Sequence, residues 1–485
     1  MGKVIGDYLA IHYAQGKEFF MLKRFSEQMR LKLFTAAAAS SAILIGMTGL
    51  ALSTPASAAP APQANGTAAA AVPGELVVGY VAGASADQRE RARGHASARF
   101  AERIVAAAAD RTEVELVRLP QGKNLDEAIA QLKSDPAVAY AEPNYVLTHQ
   151  ATATDPIFTS TNTSQDLWGM YGDASTPANA YGSQAAEAWT AGHTGSKSVY
   201  VGIIDEGIQY THPELSGQVW TNPYETAADG VDNDGNGYVD DVNGWDFANS
   251  DNTIYDGGSS GSLDDHGTHV SGTIGAKANN GQGVAGMNWD VTLISGKFLG
   301  RQGGSLADAV KSVDYFTDLK TRHGLNIVAT NNSWGGGAFS QTLLDAITRA
   351  NAANILFVAA AGNSGTNNDT TASYPSNYDV ANVIAVAAID RNGALASFSQ
   401  YGATTVDLGA PGVGVWSTTA FNTYSSYNGT SMATPHVTGA AALYASTHPG
   451  ATAAQIKSAI LSSVVPTASL SGKTVTGGRL NVSGF

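Results

Sequence analysis

Five near-continuous apolar runs, separated by stretches with helical periodicity, constrain the fold of this chain more than any other feature. Such runs are typical of parallel strands covered by helices on both faces. The predicted strands cover residues 199–205, 291–297, 326–333, 355–360 and 383–387, and two predicted helices cover residues 305–321 and 341–353. The pattern predicts an α/β domain with a mostly parallel central sheet and helices on both faces.

The N-terminal part of the chain has the composition of a targeting segment followed by a linker. Residues 1–58 hold a basic region, an uncharged run and the sequence Pro-Ala-Ser-Ala, which together predict a signal peptide cut near Ala58. A membrane anchor is the alternative, because the uncharged run reaches about 20 residues. Its many small residues and the cleavage pattern favour the signal peptide. Residues 59–73, rich in Ala and Pro, are a predicted linker.

Residues 74–149 have the pattern of a small domain with its own core. Strands are predicted over 75–80, 114–119 and 138–146, and helices over 85–100 and 125–132. This order fits a small α+β, ferredoxin-like domain. Residues 150–485 then form the large domain.

Acidic residues are concentrated in the large domain. The chain has 41 acidic and 27 basic residues, and residues 1–150 hold 14 and 15 of them, which leaves a balance of −15 for the rest. An acidic domain without basic tracts is a poor candidate for binding nucleic acid or anionic membranes. The chain has no cysteine, which excludes disulfides and a cysteine nucleophile. We expect a monomer that binds neither nucleic acid nor, after processing, a membrane.

Three short motifs present an acid, a histidine and a serine in that order along the chain. Asp205 ends a predicted strand, His266 opens the sequence His-Gly-Thr-His-Val-Ser-Gly-Thr, and Ser431 lies in Asn-Gly-Thr-Ser-Met-Ala-Thr-Pro-His. Acyl transfer by a serine needs a base to take its proton and an acid to orient that base. Each motif taken alone has a simpler explanation. The Asp after a strand is a turn or cap residue, the His-Gly pair arises by chance, and the Gly-Thr-Ser sequence is the N-cap of a helix. Pro435 is expected in the first turn of the serine's helix.

Together the motifs resemble those of the subtilisin-like serine proteases, the subtilases, over nearly all of residues 165–485. The resemblance implies that Ser431 is the nucleophile, His266 the general base and acid, and Asp205 the orienting carboxylate. It also implies that the side-chain amide of Asn363 binds the oxyanion together with the backbone N–H of Ser431. The second histidine of the motif, His269, is expected to be structural.

The resemblance extends to the N-terminal domain and to substrate binding. Residues 74–149 resemble the family's inhibitory propeptide, which implies a secreted endopeptidase made as a self-processing zymogen, with the propeptide as intramolecular inhibitor and chaperone. Protein or peptide substrates would be held as an added strand and in a specificity pocket. The matching residues are Ser333, Trp334, Gly335, Leu299, Gly300, Ala360, Gly362 and Ser373. Small residues and no placed charge predict a preference for large apolar or aromatic P1 side chains. The alternative for Trp334 is simple packing.

Glu206 departs from the family pattern, in which Ser or Thr usually follows the acid of the triad. A second carboxylate there would raise the pKa of His266 and move the rate profile to higher pH. The preferred interpretation is that Glu206 points to solvent.

An insertion around residues 220–262 contains an acidic loop with calcium-ligand spacing. Asp232, Asp234, Asn236, Tyr238 and Asp240 stand at alternate positions. Asn243 stands where an EF-hand has a bidentate Glu, which excludes a full EF-hand. A surface loop of turn-forming residues is the alternative. We expect structural Ca²⁺ there and no organic cofactor. The family's best-known calcium site is not carried over, because the loop at 279–286 looks shorter.

Two other classes of function fit parts of the sequence. A catalytically inactive relative would act as a binding protein, and a calcium-dependent structural protein would use the acidic loop. Within proteases, a Ser-Glu-Asp carboxyl type would use Glu206. The inactive relative is disfavoured because the acid, the histidine, the serine and the asparagine of the site are all present. The calcium-dependent structural protein and the carboxyl-type protease leave the histidine motif unexplained. The sequence therefore favours an extracellular serine endopeptidase.

Overall fold

The computed structural model describes residues 71–105, 113–145, 152–257, 264–300 and 303–485. The predicted signal peptide and most of the predicted linker lie outside these residues. Within the described ranges, no helix combines the length and the apolar character needed to cross a bilayer. The two larger sheets, which share no hydrophobic core, define a small N-terminal domain and a large domain.

The N-terminal domain is a four-stranded antiparallel sheet with two helices. Its elements are β1 (Ala71–Tyr80), α1 (Ala86–His95), β2 (Arg99–Val105), β3 (Val114–Arg118), α2 (Leu125–Lys133) and β4 (Val138–Tyr145). The strand order is β2-β3-β1-β4. Buried side chains of β1 and of both helices form the core, among them Leu76, Ala92 and Leu132. The arrangement confirms the predicted small α+β domain.

Two boundaries in this domain differ from the prediction. The helix expected over 85–100 ends at His95, Ser97 adopts a positive φ of 55°, and the chain continues as β2. The strand was missed because a charged stretch suits an exposed helix and an edge strand equally well. Strand β1 begins at Ala71, so three residues assigned to the linker belong to it.

The large domain is built on a nine-stranded sheet. Its strands, in chain order, are β5 (Gly195–Asp205), β6 (Gly244–Asp246), β7 (Asp290–Lys297), β8 (Ile327–Asn332), β9 (Leu356–Ala360), β10 (Val383–Ile389), β11 (Leu408–Pro411), β12 (Val415–Thr419), β13 (Thr423–Tyr427), β14 (Val465–Pro466) and β15 (Gly478–Arg479). The order in the sheet is β14-β15-β11-β10-β9-β8-β5-β7-β6, and β14 alone pairs antiparallel, while β12 and β13 form a separate hairpin. All five predicted strands are present.

Helices cover both faces of this sheet. They are α3 (Ala185–Thr190), α4 (Asp265–Gly275), α5 (Leu306–His323), α6 (Gln341–Ala352), α7 (Thr430–Thr447) and α8 (Ala453–Ser462), with short 3₁₀ turns at Trp168–Met170 and Ala468–Leu470. Apolar residues of α4, α7 and α8 pack in one core, and those of α5 and α6 pack in another. Alternate residues of β9 enter the two cores, Val358 the first and Phe357 the second. The layered α/β prediction is confirmed.

Helix α5 illustrates why the predicted helices form where they do. The Ser305 side chain accepts the N–H of Asp308 at its start, and Gly324 ends it with a φ of 68°. Its buried residues, which include Val313 and Phe316, fall on one face against the sheet.

The carboxyl ends of the parallel strands gather the predicted chemical groups at one edge of the sheet. Asp205 is the last residue of β5, a central strand, and the N-termini of α4 and α7 carry His266 and Ser431. These two helices pack against each other on the same face. Functional groups of open α/β sheets collect beyond this edge.

Candidate active site

Asp205 and His266 form a direct hydrogen bond. The distance from His266 Nδ1 to Asp205 Oδ1 is 2.8 Å, and the Asp205 side chain is fully buried while the His266 side chain is 30% exposed. Burial lowers the pKa of His266, but the charge and hydrogen bond of Asp205, with a smaller contribution from Glu206, raise it to about 9. The ring is therefore oriented by a carboxylate on one side and reachable on the other.

Ser431 forms a reciprocal pair with Ser333. The Ser431 hydroxyl donates to the Ser333 carbonyl oxygen at 3.1 Å, and the Ser333 hydroxyl donates to the Ser431 carbonyl oxygen at 2.8 Å. Pro435 lies within α7 and not in its first turn as predicted. Having no N–H, Pro435 leaves the Ser431 carbonyl without its helical partner, so that the Ser333 hydroxyl takes this place. Catalytic hydrogen bonds often reach their final alignment only when a substrate is bound.

The orientation of the Asn363 amide follows from its contacts with Thr430. Asn363 Oδ1 accepts the Thr430 backbone N–H at 2.8 Å and the Thr430 hydroxyl at 2.9 Å. A backbone N–H can only donate, so the oxygen must face Thr430 and the NH₂ group must face away. A Cβ placed on Gly429 would lie 3.5 Å from Ser431 N and 3.6 Å from Asn363 Nδ2. Two nitrogen donors thus border the same small space.

Glu206 does not point to solvent, contrary to the preferred prediction. Its Oε1 lies 2.5 Å from the backbone nitrogen of His266, and its side chain is largely enclosed. Burial and the adjacent charge of Asp205 raise the pKa of Glu206 to about 7. The two consecutive acids therefore contact the same histidine, one at the ring and one at the backbone.

His269, the second histidine of the motif, has a structural environment. Its Nε2 lies 3.0 Å from the Val415 carbonyl oxygen and 3.2 Å from that of Ser425, and its ring stacks on Tyr427. Since both partners accept, Nε2 carries the proton. Burial lowers the pKa of His269 to about 3, so the ring stays neutral.

Most of the predicted pocket residues line one cavity of about 400 Å³ beside Ser431 and Asn363. They are Ser333, Trp334, Gly335, Ala360, Gly362 and Ser373. Gln400 also lines it and was missed, because nothing in the sequence around it indicates a pocket. Gln400 explains why position 362 needs a glycine: a Cβ there would lie 1.9 Å from Gln400 Oε1. The cavity is therefore less purely apolar than the sequence suggested.

Leu299 lines a second cavity of about 340 Å³, which shares Trp334 and Gly335 with the first. The indole of Trp334 packs against Phe298 in this wall. Trp334 therefore has a packing role and also lines the cavity. Gly300 lines neither cavity and pairs instead with Gly303 through two backbone hydrogen bonds.

The acidic loop brings together only part of the predicted metal set. Oxygens of Glu225, Asp232 and Asp234 lie within 4.8 Å of one another. Glu225 was missed because it precedes the loop. Both oxygens of Asp240 instead accept backbone N–H groups at residues 229 and 230. Carboxylates in such a cluster fit a hard cation such as Ca²⁺.

The remaining two residues of the predicted metal set point into the loop's own structure. The Asn236 side-chain oxygen accepts the Tyr238 N–H, and the Asn236 NH₂ group faces Asp234 and Asp241. The Tyr238 ring packs against Trp245, Phe247 and Tyr315.

Comparisons with known proteins agree with this geometry. Residues 196–482 match the family model described as the subtilase family, and residues 57–144 match that of the fervidolysin N-terminal prodomain. The chain is 36% identical over 324 residues, 67% of each chain, to the thermophilic serine proteinase of Bacillus sp. (strain AK1). It is 39% identical to subtilisin DY of Bacillus licheniformis over 55% of this chain and 83% of that one.

A solved structure adds a match at the level of the fold. The proteases from Pseudoalteromonas arctica PAMC 21717 superpose with a TM-score of 0.54 at 28% identity, over 69% of this chain and 98% of that one. The matched family model covers more than half of this chain, and the geometry brings its acid, histidine and serine motifs to one sheet edge. The chain therefore belongs to the subtilase family and is a subtilisin-like serine endopeptidase with an N-terminal prodomain.

Proposed function

We propose that the chain hydrolyses peptide bonds with Ser431 as nucleophile, His266 as general base and acid, and Asp205 as the orienting carboxylate. The observation that carries this proposal is the 2.8 Å hydrogen bond between His266 Nδ1 and Asp205 Oδ1 at the sheet edge. That bond keeps a proton on Nδ1, so Nε2 of the neutral ring is left to accept one.

The reaction proceeds in two halves. The Ser431 hydroxyl leaves the Ser333 carbonyl, its oxygen bonds to the scissile carbonyl carbon, and its proton passes to His266 Nε2. The oxyanion that forms accepts hydrogen bonds from Ser431 N and Asn363 Nδ2. The C–N bond then breaks, and His266 returns the proton to the leaving amine. Water repeats the sequence on the acyl-enzyme and frees Ser431.

The full chain and its Ser431→Ala variant test this proposal directly. We expect the wild type to shed its N-terminal part over hours, as followed by intact mass, and to react with a serine-directed phosphonate. The Ser431→Ala variant should stay whole and unlabelled, whereas Ser426→Ala, at an exposed serine of β13, should behave as the wild type. An unprocessed, unlabelled wild type that leaves casein intact with calcium present would instead indicate an inactive relative.

We also propose a secreted zymogen with the domain boundaries given by the sequence. Residues 1–58 would be the signal peptide, 59–70 the linker, 71–149 the inhibitory propeptide and 150–485 the peptidase domain, where the linker is shortened from 59–73 because β1 begins at Ala71. The fervidolysin-like prodomain match and the folded four-stranded domain support the propeptide assignment. Self-cleavage is proposed between residues 147 and 155.

The pocket supports a preference for large apolar or aromatic P1 side chains. Its volume of about 400 Å³ accommodates such a side chain, and the residues of its wall that the structure describes include Ala360 and Gly362 and no charged residue. Gln400 adds a polar side chain to this wall, so we propose that the pocket also tolerates other P1 side chains. A peptide-library profile dominated by Arg or Lys at P1 would contradict this preference.

We further propose a structural Ca²⁺ site at the acidic loop, held by Glu225, Asp232 and Asp234. The support is the convergence of their carboxylate oxygens within 4.8 Å. Bound Ca²⁺ would offset most of the negative charge of these three carboxylates and hold the insertion together. Asp240 is left out of the proposed site because its carboxylate is not among the three that converge.

A further inference from the structure

Helix α4 begins without a cap from its own segment. Asp264, which precedes it, is occupied elsewhere: one carboxylate oxygen accepts the N–H groups of Asp256 and Gly257, and the other lies 2.7 Å from Lys297 Nζ. Asp265 accepts the N–H of Ala420, at 2.8 Å. Neither acid faces the first N–H groups of the helix. Such groups need an acceptor when they are enclosed.

Glu206 supplies that acceptor from another element. Its Oε1 lies 2.5 Å from the N–H nitrogen of His266, the second residue of α4. A carboxylate at a helix N-terminus bonds the free N–H and faces the positive end of the helix dipole. The residue before it in β5, Asp205, meanwhile bonds the His266 ring. Two adjacent residues of one strand end therefore fix both the backbone and the ring of the same histidine.

We propose that Glu206 is a positioning residue for His266, which anchors the start of α4 and through its charge sets the pH range in which the histidine acts as a base. This inference rests on the proposed function, since it assigns Glu206 a part in the working of that site. Glu206 acts through His266 and not on the substrate.

The charges around Glu206 determine the direction of this effect. Four groups face Glu206. They are Asp205 at the end of β5, His266 in α4, Asp264 in the segment before α4, and Tyr427 in β13. Asp264 is compensated by Lys297, at 2.7 Å. An ionised Glu206 favours the protonated ring of His266, and a base must be neutral to accept a proton. The charge of Glu206 therefore moves the acidic limb of activity to higher pH.

Two substitutions separate the hydrogen bond from the charge. Glu206→Gln keeps an oxygen that can accept the His266 N–H but removes the charge, whereas Glu206→Ala removes both. Asp290→Asn, at an exposed acid at the start of β7, is the matched control for loss of one negative charge. The measurement is kcat/KM and kcat of each processed enzyme on a chromogenic peptide between pH 5 and pH 10.

For Glu206→Gln we expect the midpoint of the acidic limb to fall by several tenths to about one pH unit. Glu206→Ala should show the same shift and a larger loss of kcat on the plateau, because the helix start is released. Asp290→Asn should keep the wild-type profile. A Glu206→Gln midpoint equal to that of the wild type would overturn the proposal, as would equal plateau losses in Glu206→Gln and Glu206→Ala.

A second measurement does not depend on activity. In the full chain carrying Ser431→Ala, the His266 ring is titrated by NMR of labelled histidine, with His266→Gln used to assign its resonance. Adding Glu206→Gln should lower the titration midpoint by the same amount as the rate profile, and an unchanged midpoint would refute the inference. A wild type that hydrolyses nothing would defeat the proposed function alone, because this titration would still decide the role of Glu206.

Discussion

Thr430 determines which way the amide of Asn363 faces. It presents both a backbone N–H and a hydroxyl to Asn363 Oδ1, so the NH₂ group is held facing away from Thr430, as the proposed contact with the oxyanion requires. Gly429 keeps the adjacent space open. A donor that is already oriented does not have to be reorganised during the reaction, and this is where such groups gain their effect.

Asn363→Ala should therefore lower kcat with little change in KM. We expect a loss of about 10²–10³-fold, the effect that removal of such a donor has in subtilisin itself. Steady-state kinetics on a peptide substrate provide the measurement. Asn392→Ala, at an exposed asparagine, serves as the control. Equal kcat in the Asn363→Ala variant and this control would exclude Asn363 from the oxyanion site.

Gly362 adopts a backbone conformation that residues with a side chain rarely adopt. Its φ is 114°, and a Cβ would lie 1.9 Å from Gln400 Oε1. Gly362→Ala should lower the free energy of unfolding by about 2–4 kcal/mol and reduce kcat, because Asn363 is the next residue. Urea unfolding in the Ser431→Ala background measures the first effect. Gly484→Ala has no neighbour within 4 Å and should be nearly neutral, and a comparable loss there would contradict the steric argument.

At the scale of elements, helices α4 and α7 each bury a neutral histidine next to the reacting groups. Burial lowers the pKa of His269 to about 3 and that of His436 to about 4. Both are uncharged in the folded state at pH values where the unfolded chain binds a proton. Their contribution to stability is present above the unfolded pKa of about 6.5 and is lost as pH falls towards the folded values.

His269→Gln should flatten this pH dependence. Between pH 6.5 and pH 4.5 the slope of the unfolding free energy should fall by up to about 1.4 kcal/mol per pH unit, which corresponds to one proton. Urea unfolding at several pH values, with Ser431→Ala to prevent self-digestion, gives the slope. Asn392→Gln, at an exposed asparagine, is the control and should leave it unchanged. An unaltered slope in His269→Gln would show that this ring is charged in the folded state.

The elements that could be predicted from sequence are those with a strong local pattern. The apolar runs gave β5, β7, β8, β9 and β10, since buried parallel strands need little from their neighbours to be recognised. Strand β2 and the β12–β13 hairpin were missed because none of these strands has an apolar run: β2 mixes charged and apolar residues, and β12 and β13 are rich in Ser and Thr. The predicted direction of the Glu206 side chain was wrong because its acceptor role depends on where Asp264 and Asp265 turn, which is decided by residues distant in sequence.

At the scale of the whole molecule, a chain without cysteine has no covalent link to hold a long insertion. The insertion around residues 220–262 is anchored in part by the carboxylates of Glu225 and Asp232, which accept backbone N–H groups of the acidic loop. The metal spacing could be read from sequence, but Glu225 could not, because only folding brings it to the loop. Gln400 joins the pocket in the same way.

Removing calcium should destabilise the wild-type enzyme. A chelator is expected to lower Tm by several degrees, which corresponds to about 2–3 kcal/mol if calcium exceeds its Kd about 100-fold. Asp232→Asn should abolish most of this response, and Asp290→Asn should retain it. Differential scanning calorimetry with and without chelator gives the result. A Tm that ignores the chelator would count against the site.

The paired serines at the pocket wall link recognition to reactivity. Ser431 donates to the Ser333 backbone, and Ser333 lines the same cavity that a P1 side chain would fill. A substrate that bound as an added strand, as proposed, would compete for the wall's backbone groups and so release the Ser431 hydroxyl for attack. Until then the Ser431 hydroxyl stays hydrogen-bonded to the Ser333 carbonyl oxygen. Small electrophiles that leave the pocket empty would therefore meet a slower serine than peptides do.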